Sequence, residues 1–126
     1  IQSHSTSNPC SFAQYGAIAA LTGDQTEVDD MCAEYDIRRQ YMLKRLGEIN
    51  KVSTIEPHGA FYFLVDIEKM GLKSLNFAEK LLSRMEVAAV PGIAFGHDTS
   101  IRLSYATGLP VIKEGLDRFE EFCKAH

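Results

Sequence analysis

Arg102 is the residue whose setting most calls for a chemical partner. It lies in Ile101-Arg102-Leu103-Ser104-Tyr105-Ala106. Period-two alternation there sends Ile101 and Leu103 to one face of a strand and Arg102 and Ser104 to the other. A guanidinium matches a carboxylate through two parallel hydrogen bonds, so a bound carboxylate is one reading. An edge-strand arginine in water and an internal salt bridge are the others, and spacing alone leaves all three open. A second candidate is the loop Ser3-His4-Ser5-Thr6-Ser7, rich in hydroxyls and leading into a helix. Hydroxyls at a helix N-terminus suit an anion, whereas a solvated linker is the plainer meaning of such composition. Pro91-Gly92-Ile93-Ala94-Phe95-Gly96 and Pro57-His58-Gly59-Ala60-Phe61-Tyr62 are two further candidates. Each is either a close backbone approach to a ligand or an ordinary connection into a strand.

Other chemistries leave no trace. The sequence has no G-x-G-x-x-G, no G-K-[ST] and no H-E-x-x-H. His4, His58, His97 and His126 fall in loops or at the end, without a second ligand at metal spacing, so no metal site is expected. Cys10, Cys32 and Cys123 are odd in number, widely spaced and without a C-x-x-C, which reads as reduced thiols of a cytoplasmic protein. The net charge is −4, with no basic run to attract nucleic acid. A Lys/Arg-rich amphipathic face for anionic lipid is absent as well. Ala60 to Val65 is the longest apolar run, far short of a membrane span. Neither a nucleic-acid nor a membrane partner is expected.

These candidates need elements to position them. Asn8-Pro9 turns into a helix over 10–21 rich in small residues, which Gly23 ends. Asp24 and Glu27 have capping-box spacing. They open a helix over 26–49, roughly 36 Å long, with Val28, Met31, Cys32, Tyr35, Met42, Leu46 and Ile49 as its apolar stripe. Acids fill its first half and bases its second, as the helix dipole favours. Val52–Ile55 is a short strand. Ala60–Asp66, apolar on both faces, reads as a buried central strand. Ser74 caps a helix with Leu75, Ala78, Leu81, Leu82 and Met85 on one face. Val87–Val90 and Ser100–Tyr105 are further strands, and Pro110 opens a last helix with Ile112, Leu116, Phe119 and Cys123 inward. The order, long helix, β, β, α, β, β, α, gives a small α+β (α/β) layer, a sheet covered by helices. At 126 residues the chain has the length of one domain, but it opens at Ile1 rather than Met and reads as a piece of something longer.

Four segments, in order, resemble class I pyridoxal-phosphate aminotransferases of fold type I, most closely the bacterial-type aspartate aminotransferases. They are Gln2 to Pro9 with Ala13-Gln14-Tyr15-Gly16-Ala17, then Pro57-x-Gly59-Ala60-Phe61-Tyr62. Val90-Pro91-Gly92-x-x-Phe95-Gly96 and Ile101 to Ala106 follow. The resemblance runs over essentially the whole chain. It implies that 1–23 end a large cofactor-binding domain, that 24–50 form a bridging helix and that 51–126 form a small C-terminal domain.

By the same resemblance Arg102 binds the substrate α-carboxylate, Phe95 lies at the pocket mouth, and Ser7 and Asn8 approach a neighbouring subunit's site in a homodimer. The implied cofactor is pyridoxal 5'-phosphate in the full-length protein, and the implied substrates are an amino acid, aspartate by overall similarity, and a 2-oxo acid. The family's Schiff-base lysine, the Asp on the pyridinium nitrogen, the ring-stacking aromatic and the phosphate-binding Arg lie outside this segment. No catalytic residue is therefore expected within it, and the chain alone is expected to be inactive. Some relatives carry an Arg in the loop corresponding to 3–8 for a distal carboxylate, whereas this loop has no Arg or Lys. Two alternatives remain: a stand-alone carboxylate-binding or interaction module, and a decarboxylase or lyase on the same scaffold.

Overall fold

The computed structural model describes residues 8–126. They divide into two compact units, one ending at Ala33 and the other Glu34–His126. In the first, helix α1 (Ser11–Thr22) buries none of its residues. Its apolar Phe12, Tyr15, Ile18 and Leu21 all stand exposed. Gly23 ends it, its N–H donating to the Ala19 carbonyl at 2.9 Å. A Cβ on Gly23 would come within 2.7 Å of that same oxygen, which is why the helix stops at a glycine.

Helix α2 (Thr26–Glu48) begins as the sequence predicts, but its start is built differently from the expected Asp24–Glu27 pairing. Asp24 accepts both the Thr26 N–H, at 3.1 Å, and the Thr26 hydroxyl, at 2.6 Å. Those bonds, the hydroxyl's first, hold the Asp24 carboxyl below its ordinary range. The expected stripe is buried only in its second half: Met42, Leu46 and Ile49 are buried, while Val28, Met31 and Cys32 are exposed.

The second unit is an antiparallel sheet in the order β1-β2-β4-β3, formed by β1 (Ser53–Thr54), β2 (Tyr62–Asp66), β3 (Val90–Pro91) and β4 (Ser100–Ser104). Phe63 pairs with Leu103 and Val65 with Ile101. These four side chains join Met42 and Leu46 of α2 in one core with α3 (Ser74–Met85) and α4 (Leu109–Lys124). Phe77, Leu81, Leu116, Phe119 and Phe122 carry the helical side of it. Each such phenylalanine contributes roughly 2–3 kcal/mol by leaving water. The α+β layer with helices over a sheet is thus the architecture the sequence implied.

Four local readings change. β2 is central but not buried on both faces: Leu64 is 42% exposed, because the helices cover only the Phe63 and Val65 side. On α3 the buried stripe is Ser74, Phe77, Ala78 and Leu81, with Leu75 and Leu82 exposed. The helix is therefore rotated toward Phe77, the bulkiest residue that its spacing can place inward. Ser74 does not cap α3 through its own backbone, since Lys73 is the capping position and Ser74 the first helical residue. The strand expected over 87–90 shrinks to Val90–Pro91 at the sheet edge, where a proline lacking an N–H is tolerated.

Candidate functional site

Arg102 stands on the face of β4 that the helices leave open. Ile101 and Leu103 are buried on the other face, as alternation predicts. Its neighbours across the sheet are Leu64 on β2 and Val90 on β3. Two aromatic rings hold its guanidinium: Cζ lies 4.9 Å from the Tyr62 ring centroid and 4.9 Å from that of Phe95. Phe61 meets Tyr62 edge to face at 5.9 Å and extends the aromatic surface. A cation over a ring uses its π face, while the five N–H donors of a guanidinium lie in its plane. Both contacts are to ring faces, and neither places a carboxylate on the fork.

The other arginines behave differently. Arg38, Arg39, Arg45 and Arg118 are each ion-paired with carboxylates, and Arg84 lies 3.1 Å from the His126 ring nitrogen. Arg102 enters no salt bridge among the described residues. The internal salt bridge, one of the three readings its spacing allowed, is absent there.

The second ring is delivered by a tight loop. A 3-10 turn, Gly92–Phe95, ends at Gly96, whose φ of 81° is left-handed and needs glycine. A Cβ on Gly92 would meet the Ser100 hydroxyl at 2.2 Å and the His97 carbonyl at 2.3 Å, so the backbone folds back on itself there. The His97 N–H donates to the Gly92 carbonyl at 3.0 Å, and the Ser100 hydroxyl donates to the His97 carbonyl at 3.0 Å. Phe95 itself is 53% exposed. The first ring is held from below. Ala60 adopts a left-handed φ of 61°, and the Tyr105 hydroxyl donates to its carbonyl at 2.9 Å. Tyr105 also donates its N–H to the Phe61 carbonyl at 2.8 Å and packs on Phe63. Burial pushes its phenol above the ordinary value, so it remains a donor.

Of the residues singled out from sequence, Arg102 and Phe95 come together. Ser7 lies outside the described residues. Asn8 is exposed and belongs to the first compact unit. Among the described residues no group of three or more His, Cys, Asp or Glu could hold a metal. Cys10 and Cys32 are exposed and Cys123 buried, all as free thiols. No helix of the described residues is long and apolar enough to cross a membrane. A cavity of about 400 Å³ opens beside Leu103, Val111 and Phe119, away from Arg102. Tyr62 and Tyr105 are the contributors whose roles spacing did not reveal, although both belong to segments already singled out. One guanidinium between aromatic rings suits a carboxylate. The residues around it, Tyr62, Leu64, Val90 and Phe95, offer no amine for a Schiff base, so this site fits a substrate group rather than a pyridoxal cofactor.

Fold and site define an α+β domain that presents, on its open sheet face, an arginine set against two aromatic rings and without a carboxylate among the described residues. The family profile of aminotransferase class I and II matches residues 1–119. An aspartate aminotransferase of Bacillus sp. (strain YM-2) is 40% identical, over 98% of this chain and 33% of its own length. The crystal structure of an aspartate aminotransferase from Thermotoga maritima superposes with a TM-score of 0.86 at 36% identity, covering 98% of this chain and 31% of that one. An alanine aminotransferase from Pyrococcus furiosus gives a TM-score of 0.86 at 34% identity, over 94% of this chain and 31% of its own. The chain belongs to the class I and II aminotransferases, and it spans about a third of the length of the relatives it matches.

Proposed function

We propose that this chain is the C-terminal part of a cytoplasmic, homodimeric aminotransferase that exchanges an amino group between an amino acid and a 2-oxo acid. Residues 1–23 then close the large domain, 24–50 bridge, and 51–126 form the small domain. The full-length protein uses pyridoxal 5'-phosphate, which supplies an electron sink for bond cleavage at the substrate Cα. Arg102 binds the α-carboxylate through its in-plane N–H groups, with Tyr62 and Phe95 keeping the fork in one orientation. Phe95 lines the mouth of the pocket, and Ser7 and Asn8 approach the neighbouring subunit's site. A two-point hold on the carboxylate restricts rotation of the amino acid, so that its Cα–H bond is presented in one direction. Orientation of that kind can contribute several kcal/mol to the barrier. The single observation that supports this reading is a guanidinium 4.9 Å from each of two aromatic ring centroids, with no carboxylate of its own among the described residues.

Aspartate is the proposed amino donor, on overall similarity to the Bacillus relative. The alanine aminotransferase of similar fold makes substrate profiling of the full-length protein the direct check. Arg102→Lys in that protein is expected to raise KM for the amino acid, because a point ammonium cannot reproduce the fork. Unchanged KM and kcat/KM would remove the assignment. The chain by itself is proposed to be inactive, its seven lysines all lying outside the family's Schiff-base setting. Transamination by the chain alone, faster than with pyridoxal phosphate alone, on mixing it with the cofactor, an amino acid and a 2-oxo acid would contradict that.

A further inference from the structure

Ser74 is fully buried, and its hydroxyl both donates and accepts. The hydroxyl donates to the Asp98 carboxylate at 2.8 Å and accepts the Ile93 N–H at 3.2 Å. The Ser74 N–H also turns to Asp98, with the carboxylate oxygen at 3.2 Å and the main-chain carbonyl at 2.9 Å. One side chain at the start of α3 thus grips the 93–98 loop at both ends. Phe95 lies between the two grips, two residues beyond Ile93, and its ring covers one face of Arg102. On the far side of the loop the Gly92–Ser100 contact leaves no slack.

We propose that Ser74 and Asp98 are positioning residues for the Arg102 site: together they latch the loop that holds Phe95 against the guanidinium. This rests on Arg102 being the α-carboxylate ligand. The geometry argues for more than a helix cap. A cap needs only an acceptor for the Ser74 N–H, and the Asp98 main-chain carbonyl already supplies one. What the side chains add is the Ser74 hydroxyl's bond from Ile93, which lies in the turn carrying Phe95, with Asp98 orienting that hydroxyl. Hydrogen bonding to Ser74, before any contribution from Lys73, also holds the Asp98 carboxyl below its ordinary range, so the acceptor stays ionised at neutral pH. Lys73 approaches the other carboxylate oxygen at 3.4 Å but is largely solvated.

Arg102 and Tyr62 stay in place when the latch is loosened, so the signature is a rise in KM larger than any fall in kcat. In the full-length protein Ser74→Ala and Asp98→Ala are each expected to raise KM for the amino acid roughly five- to tenfold, the worth of one hydrogen bond. Because they break the same link, the double variant should be no worse than either single one. Asp98→Asn keeps an oxygen acceptor for the Ser74 N–H and hydroxyl and should restore most of the affinity. An unchanged KM in Asp98→Ala overturns the proposal. So does loss of kcat in step with the melting temperature, or an Asp98→Asn variant as impaired as Asp98→Ala. Arg102→Lys measured alongside separates the two levels. If it alone raises KM, the latch fails and the carboxylate reading stands; if it leaves KM unchanged, both fall. Should Asp98→Ala not fold, para-fluorophenylalanine at position 95 reports on the loop directly. Its fluorine resonance should shift or broaden in Ser74→Ala, and an identical spectrum overturns the latch.

Discussion

Arg45 and Arg102 carry the same group in the same compact unit, with opposite surroundings. Arg45 reaches Asp117 at 2.7 Å, Glu120 at 2.9 Å and Glu48 at 3.2 Å. Its hydrogen bond to Glu120, then that to Asp117, holds its proton more tightly than usual, and Glu120 in turn is kept ionised chiefly by Lys124 and then by Arg45. Arg102 has two aromatic faces and no carboxylate among the described residues. The fold evidently can bring acids to arginines, since it does so for Arg38, Arg39, Arg45 and Arg118. An arginine set against two rings instead is restrained by them while no carboxylate among the described residues occupies its fork. The first arrangement ties α2 to α4; the second is prepared for a carboxylate that the domain does not itself supply.

The most direct way to break this comparison is to remove both guanidiniums in turn from the full-length protein. Arg102→Leu should lower kcat/KM by roughly 100-fold or more, the loss of a charge-assisted pair with substrate of about 3 kcal/mol. Its melting temperature should hardly move, because no acid among the described residues is left unpaired. Comparable activity of Arg102→Leu and the parent would make the caged arginine an ordinary surface group.

Gly92→Ala comes next. Its Cβ would face the Ser100 hydroxyl at 2.2 Å and two carbonyl oxygens, His97 at 2.3 Å and Ser100 at 2.5 Å. Backbone cannot step aside as a flexible side chain can, so the turn must shift, at roughly 1–3 kcal/mol. Phe95 moves with it. We expect a lower melting temperature together with a raised KM, the two effects that Arg102→Leu keeps apart. A Gly92→Ala protein with parental stability and KM would show that the turn has slack.

How much of this could be read in the sequence differs between the two regions. Arg102 was legible because a strand alternates with period two, and an arginine opposite Ile101 and Leu103 has to face outward. The α4 stripe was legible for the same kind of reason, with Phe122 added by the structure. The cage was not. Tyr62 meets Arg102 from across the β2–β4 ladder, and that register follows from long-range pairing rather than from local pattern. Ser74 reads locally as a helix cap, and only the tertiary approach of Asp98 turns it into a clamp. The α3 face differs by one position from the one periodicity predicts, because leucines count equally in a periodicity, whereas in the core a phenylalanine displaces them. Arg45 was seen as a base in the second half of α2, but its acids on α4 are more than seventy residues away.

Arg45→Leu is the converse of Arg102→Leu and a smaller effect. Three acids lose their common partner, yet Glu48 and Asp117 are largely solvated, so screening limits the loss. A fall of a few degrees in melting temperature is expected, diminished by added salt, with KM for the amino acid unchanged. A change in KM without a change in stability would mean that the Arg45 cluster also shapes the binding site.

The smallest effect tests how dry the interior is beneath that cluster. Cys123 is on α4, three residues past Glu120, and is buried. Burial pushes its thiol up to about 11 from an ordinary 9.0, against a partial pull downward from Lys51. A group that is harder to ionise when folded lowers stability once the unfolded chain can ionise. Its contribution is therefore intact below about pH 9 and is lost as pH climbs from about 9 towards about 11. Tyr105, also shifted upward by burial, adds a loss of the same sign at high pH. Comparing parent with Cys123→Ala removes that shared background. In urea unfolding of the full-length protein from pH 8 to 10.5, the parent's stability should fall more steeply than the variant's, by less than one proton's worth of slope. Parallel curves would mean that water reaches Cys123, and that the Arg45 acids close over a wetter interior than their geometry implies.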